Sequence, residues 1–493
     1  MIKYCSHKQI SIEEFKLPFK GQLSKENRWV FLSQNLPWDE MVAVYVKQMS
    51  LTMGRPAKNP RIAIGAVIIK HLKQLPDEDT LQEIRENPYL QYFLGFSEYS
   101  YDQPFAASLF VSFRRRLGEA AFKELTDRFI AYVNRVQEKA DKKKKSTKED
   151  HGPDCSGSGN KGHLIVDASV APADIKYPTD LDLLNEARLK SELLIDKLYT
   201  PEPGKVKLRT YRRLARKAYL AVVHKRKKSR KLLRKAIGQQ LRYLRRNIKT
   251  IERLLDEKEI RHFPLDFKLQ RLYWIIQEVY RQQNQMYQQK THQIEHRIVS
   301  ISQPHIRPIV RGKAGRDVEF GAKLSLSLAA GFSYLDYISW DAYNESTFLK
   351  DHIESYRLRF GCYPEWVSAD KIYGSRENRK YMKSHGIKYT GHALGRPRML
   401  TDDQRKRVRE RKKLNGQRSK IEGKFGEGKR KYDLDCVKAR LPETSESWIA
   451  AVIFAMNIAR YLRVIFLSLM AKAENWIKIL RYLLAGKDRL AYV

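Results

Sequence analysis

Three carboxylates in this 493-residue chain have the types and settings needed to hold a pair of hard cations against a phosphodiester. Asp167 closes the apolar run His163-Leu-Ile-Val-Asp, and Asp370 closes Glu365-Trp-Val-Ser-Ala-Asp. Glu422 lies in Arg418-Ser-Lys-Ile-Glu-Gly-Lys-Phe-Gly-Glu-Gly-Lys429. Two strand-borne aspartates and a helical glutamate offer only oxygen donors, the ligands that Mg²⁺ takes; Mn²⁺ is expected to substitute. Two such ions about 4 Å apart activate a water or 3′-hydroxyl and stabilise the leaving oxygen of an in-line displacement. Asp167, Asp370 and Glu422 are therefore the expected catalytic and metal-holding residues, with Asp167 bridging both ions.

The third acid could be Glu422 or Glu427. At roughly 100° per residue, Arg418, Glu422, Phe425 and Lys429 share one helical face, and Glu427 points about 180° away from Arg418. A face that both docks on a sheet and completes a metal site favours Glu422. Arg418 and Lys429, with Lys420 beside them, are then the expected contacts to the scissile or neighbouring phosphates.

The elements that must position these groups follow from periodicity. Residues 1–138 read as a helical domain, with Met41–Met53, Ile62–Gln74 and Thr80–Phe93 carrying apolar residues at helical spacing. Arg114, Arg115 and Arg116 form a basic cluster suited to phosphate. Residues 139–162 combine a lysine run with Gly and Ser and read as a linker. The strand ending at Asp167 leads into a long helical stretch, 181–300. There, Tyr211 to Thr250 hold sixteen Lys or Arg and no Asp or Glu. Arg212, Arg213, Arg245 and Arg246 are its candidate DNA contacts. The period then switches to two at Leu324-Ser-Leu-Ser-Leu, with a return strand at Tyr334–Trp340. A helix follows at 344–360, a short strand at 366–369, a helix at 377–384 and a strand at 387–390. A loop at 391–397 precedes one basic helix from Asp402 to about Lys429.

With the insert set aside, this order fits an α+β, multidomain, RNase-H-like mixed sheet covered by helices. The catalytic domain spans 163–180 and 301–445, the insert 181–300, and C-terminal helices 446–493. The first and fourth predicted strands would lie side by side, which brings Asp167 near Asp370.

The net charge of +39 points to a polyanionic partner, whereas 42% hydrophobic residues exclude a disordered basic tail. Four scattered cysteines supply neither a disulfide framework nor a CxxC zinc site, and imply a reducing compartment. The N-terminus lacks the apolar segment of a signal peptide. The apolar stretch 449–470, interrupted by Arg460 and Arg463, reads as a packed helix rather than a membrane span.

These residues resemble a family, the bacterial insertion-sequence DDE transposases of the IS-four/IS-five supergroup. Arg418, Glu422 and Lys429 match that family's spacing of arginine, three residues, glutamate, six residues, lysine. Asn415 stands where a tyrosine is common. Asp167 through Tyr177-Pro-Thr-Asp180 resembles the first-acid segment, and Ala369-Asp-Lys-Ile-Tyr-Gly-Ser the second. Gly54-Arg-Pro-Ala, Glu86-Asn-Pro-Tyr-Leu and Phe113-Arg-Arg-Arg-Leu-Gly resemble the family's N-terminal helical domain. The resemblance implies a Mg²⁺-dependent transposase that binds terminal inverted repeats in double-stranded DNA, nicks them and joins them to target DNA. It also implies a homodimer on DNA in the bacterial cytoplasm, associated with the nucleoid, without a membrane. The alternatives are a metal-dependent nuclease of the same fold and a DNA-binding descendant without catalysis.

Overall fold

The computed structural model describes residues 10–17, 21–47, 49, 57–142, 159–201, 208–257, 263–313, 316–391 and 402–487. The expected linker core (143–158), the Gly54-Arg-Pro segment and most of the 391–397 loop lie outside them. The chain divides into two compact units. One comprises residues 1–171, 324–338 and 344–493; the other comprises 172–323 and 339–343.

The first unit opens with six helices: α1 (Arg28–Asn35), α2 (Trp38–Val46), α3 (Pro60–Lys73), α4 (Asp77–Glu86), α5 (Pro88–Leu94) and α6 (Leu109–Lys142). Two of them start on Asn-Pro. Asn59 and Asn87 cap the N–H groups of Arg61 and Tyr89, and the following proline supplies a preset φ where its missing N–H costs nothing. The helix expected over 80–93 is thus broken at Asn87-Pro88, because the residue before proline is driven out of the helical region. α6 is kinked at Gly118, whose φ of +51° a glycine tolerates without penalty.

The sheet has six strands: β1 (His163–Pro172), β2 (Arg307–Lys313), β3 (Arg316–Ala329), β4 (Phe332–Ser339), β5 (Trp366–Ser368) and β6 (Lys388–Tyr389). Their order is β2-β3-β1-β5-β6, with β4 also paired to β3. The expected hairpin is β3–β4; β2 is an additional strand that periodicity does not announce. β1 does not end at Asp167 but continues for five residues, so the aspartate sits in mid-strand. Its neighbours Leu164, Ile165 and Val166 are all buried, as in a strand covered on both faces.

In the second unit, α7 (Asp180–Leu198), α8 (Arg212–Val223), α9 (Arg230–Asp256) and α10 (Phe267–Gln289) form a helical assembly rather than a single hairpin. Leu184, Leu194, Leu244, Ile251 and Ile276 are core residues of its α7–α9–α10 cluster. Leu241, Leu244 and Ile248 of α9 also enter that core. Leu232 and Leu233 pack instead on a smaller cluster with Leu181 and Val222.

The remainder of the first unit begins with α11 (Leu349–Phe360) and α12 (Arg376–Ser384), which flank β5 in sequence. α13 (Asp402–Gly416), α14 (Ser419–Lys431) and α15 (Pro442–Lys487) close the chain. The single basic helix expected over 402–429 is two helices, parted at Gln417-Arg418. α15 supplies the unit's spine. Phe454 meets Phe122 and Phe129 of α6, and Asn457 bonds both backbone polar groups of Ser333 on β4, at 2.9 and 2.7 Å. The part over Pro442–Ile465 is long and apolar enough to cross a bilayer, but 67% of its most apolar window is buried inside the structure. Gly428 lets α14 approach α15, since a Cβ there would stand 2.9 Å from Leu434 and 3.1 Å from Met456. Cys436 is a free thiol, whereas Cys362 is disulfide-bonded.

Two buried ionic groups hold the first unit together. Asp77 receives a bidentate Arg114 pair, both bonds 2.9 Å, and Lys70 at 2.9 Å; Lys70 also lies 4.8 Å over the Trp448 ring of α15. In the second, His352 bonds Ser325 at 2.8 Å and Asp336 at 2.7 Å, and Asp336 also receives Arg359. Burial opposes ionisation of Asp336, but Arg359 and His352 outweigh it and hold its carboxyl well below the usual range. With Ser325 and His352 both 1% exposed, this Ser-His-Asp line is a brace with no access for a substrate.

Arg114→Ala strands a part-buried carboxylate against a single remaining cation. It is expected to lower stability by about 3 kcal/mol while leaving DNA affinity of the folded protein unchanged. Denaturant midpoints and duplex binding, measured side by side, check this; weakened affinity at unaltered stability would return Arg114 to a phosphate-binding role.

Candidate active site

β1 and β5 pair in parallel, with His163, Leu164 and Ile165 opposite Trp366, Val367 and Ser368. The same offset continued for two residues aligns Asp167 with Asp370. Side chains alternate across a strand, so His163, Ile165 and Asp167 share one face of β1. β5 has only three residues, and Asp370 beyond its end caps the 3₁₀ turn Lys371–Tyr373 by accepting from the Lys371 N–H at 2.7 Å. The Tyr389 hydroxyl donates to the Asp370 carbonyl at 3.1 Å. Buried Asn378 ties this turn to another, donating to the Tyr373 carbonyl at 2.9 Å and the Ser346 carbonyl at 2.7 Å.

The third acid arrives on α14. Ile421 and Phe425 bury the inner face of that helix, which leaves Glu422 exposed. Arg418 stands at its start and reaches two acids: 3.3 Å to Asp370 and 3.6 Å to Glu422. Glu427 faces elsewhere and pairs with Lys424 at 2.8 Å and with Arg463. Lys429 lies two turns further along α14, and Lys420 contacts Gln417 at 3.4 Å.

Asp167 is the half-buried member. Its carboxyl is pushed up to about 6, chiefly by desolvation and also by Glu345 and Asp370, against the lowering pull of the Ala168 N–H and Arg418. The electrostatic reach of Asp167 thus includes the second acid and the arginine that joins the second to the third. Glu345, on the turn that Asn378 anchors, is a fourth acid that the sequence alone did not single out; a lone Asn-Glu-Ser-Thr carries no spacing signal. Among the described residues, no three His, Cys, Asp or Glu side chains are gathered closely enough to hold one ion. The donor set is nonetheless all oxygen, with one half-buried carboxyl and two accessible ones, which suits a hard dication.

Beneath the acids runs a polar chain. His163 bonds Ser368 at 2.7 Å and Gln417 at 3.3 Å; the Thr390 hydroxyl lies 2.9 Å from the Ser368 hydroxyl and 3.3 Å from the Asn415 amide oxygen. It links β1, β5 and the end of β6 to the α13–α14 junction, and so fixes where Arg418 and Glu422 stand. Asn415 belongs to this chain.

Residues 367–459, which include Asp370 and Glu422, match the family described as a transposase DDE domain. Residues 17–116 match a transposase domain, DUF772. The chain is similar to DDE transposases. These two matches indicate a transposase role, and Asp167 lies outside both. The chain is also 29% identical over 161 residues to an uncharacterized protein, ORF8 in the nfe locus of Rhizobium meliloti, covering 32% of this chain and 68% of that protein. No solved structure matches the chain significantly.

The other basic residues read from the sequence fall into two groups. Arg114 is buried on Asp77, Arg116 contacts the Tyr45 hydroxyl at 3.3 Å, Arg212 pairs with Asp196, and Arg246 lies 4.3 Å over the Tyr211 ring. Arg115, Arg213 and Arg245 are exposed.

A carboxyl whose folded pKa is raised destabilises the fold when ionised. The cost for Asp167 is absent below about 4, appears as pH rises towards 6, and is complete above it. Asp167→Asn is therefore expected to stabilise the metal-free protein by on the order of 2 kcal/mol at pH 8 and by nothing at pH 4. Unfolding midpoints in EDTA at the two pH values test this, and equal midpoints at pH 8 would contradict a desolvated carboxylate.

Proposed function

We propose that this chain is an insertion-sequence transposase of the IS-four/IS-five supergroup, cutting and joining double-stranded DNA at the ends of its own element. The observation that carries the reading is Arg418 standing 3.3 Å from Asp370 and 3.6 Å from Glu422, with Asp167 within electrostatic reach of Asp370 and Arg418. The strand order supports an RNase-H-like core: β1 lies between β3 and β5, the latter parallel to it, with β4 outside β3.

Asp167, Asp370 and Glu422 would hold Mg²⁺, or Mn²⁺ in its place. Bound there, the metal lowers the pKa of the attacking hydroxyl and offsets charge on the leaving oxygen. The residues contribute the rest. Arg418 is a planar five-donor fork that exchanges two carboxylates for a phosphate when DNA enters, and Lys429 and Lys420 extend the positive surface along α14. The chain His163–Ser368–Thr390–Asn415 keeps α14 in register with the two strands. Arg115, Arg213 and Arg245 are the exposed arginines available for backbone contacts. Two copies would bring two element ends together.

The test is nicking and strand transfer on labelled element-end DNA with Mg²⁺. Asp167→Asn, Asp370→Asn and Glu422→Gln are each expected to lower the rate by at least a thousandfold while duplex binding persists. Cutting by wild type without joining would favour a nuclease, and full activity in Glu422→Gln would remove it from the metal site.

A further inference from the structure

On α8 the basic insert presents a face whose cations make no ion pair among the described residues. On α8, Arg213, Arg216 and Lys217 project from the same side as Leu220 and Ala221, and His224 and Lys225 continue that side just past the helix end. Their spacing of three and four residues makes a single stripe. Together they line an open hollow of about 620 Å³ that contains no carboxylate.

What points to a ligand is an open hollow lined by four cations and no acid, while several neighbouring cations are already engaged. Arg212, one residue away, is taken by Asp196 and Glu192; Arg234 lies 4.2 Å over Tyr287, and Arg246 over Tyr211. Arg188 and Arg297 are occupied by Glu192 and Asp180. Among the described residues Arg213, Arg216, Lys217 and Lys225 make no ion pair, and all four are exposed. The helix is held by its other side, where Ala215 and Val222 are buried and the Tyr219 hydroxyl bonds Asp182. Like charges three and four residues apart repel, so the stripe costs the isolated fold something and adds nothing to its packing.

The dimensions choose between a single anion and a polymer. Arg213 to Lys225 covers twelve residues, roughly 18 Å at 1.5 Å each, about the rise of five base pairs. A free phosphate would engage one or two of these cations, whereas a duplex backbone presents phosphates along the whole length.

We propose that this face of α8 is a duplex-backbone binding surface, sequence-independent and separate from the acids that cut. It deepens the DNA-processing reading above, but its test does not depend on cleavage.

Full-length protein carrying Arg213→Gln, Arg216→Gln, Lys217→Gln and Lys225→Gln is compared with wild type for binding a labelled 30-bp duplex across a salt series. A control replaces the exposed Lys176, Lys197, Lys268 and Lys290 by Gln, which removes the same charge elsewhere in the unit. Every phosphate that is no longer neutralised should flatten the log–log salt slope by about 0.9, so a decrease of about 3 to 4 is expected for the stripe variant. At least a tenfold weakening at low salt is also expected, equal for two unrelated sequences, with circular dichroism unchanged. An unchanged slope, an equal decrease in the control, or displacement of the duplex by millimolar inorganic phosphate would overturn the proposal. Because Asp167→Asn serves as a parallel cleavage control, the readings fail separately. Salt-steep binding through α8 in a wild type that never cuts would reject the transposase reading and keep the surface.

Discussion

Parallel pairing of β1 with β5 is the constraint on which the candidate site depends. Parallel neighbours cannot be joined by a tight turn, so the chain between them must make a crossover. Here that passage runs from Pro172 to Glu365 and contains the whole second unit as well as the β3–β4 hairpin. The pairing is short, three residues on each strand, and Asp167 and Asp370 each follow two residues after its last pair, Ile165 and Ser368. A one-residue slip would turn every side chain of one strand to the opposite face and separate the two acids. Burial of Leu164, Ile165, Val166, Val367 and Ser368 is what fixes that register.

The site built on this register is a problem of like charges. Asp167 is desolvated and lies within reach of Glu345 and Asp370, and each of those raises its proton affinity. Arg418 is the compensating charge, bound to Asp370 and near Glu422. Its placement comes from the break between α13 and α14, which the polar chain through His163, Ser368, Thr390 and Asn415 secures to the strands.

The distribution of opposite charges separates scaffold from surface. In the first unit Arg114, Lys70 and Arg359 are buried against Asp77, Asp336 and Asp127 and act as internal fasteners. In the insert, acids neutralise Arg188, Arg212 and Arg297, and the α8 stripe is left with none. A count of lysines and arginines cannot make this division, because it depends on which acid each guanidinium meets in space.

Much of the site was legible in the sequence because its signals are local. A run such as Leu-Ile-Val before an aspartate makes a buried strand from its own composition, and the 3.6-residue period alone separates Glu422 from Glu427. The Asn-Pro pairs likewise start α3 and α5 wherever the rest of the chain goes. What tertiary structure decided is non-local. The approach of Glu345 to the site, the disulfide at Cys362, the burial of Arg114 and the assignment of Asn415 to a bracing chain each join residues far apart in sequence. Their partners are selected by packing and by the cost of burying an unpaired charge, and neither is written in any window of the chain.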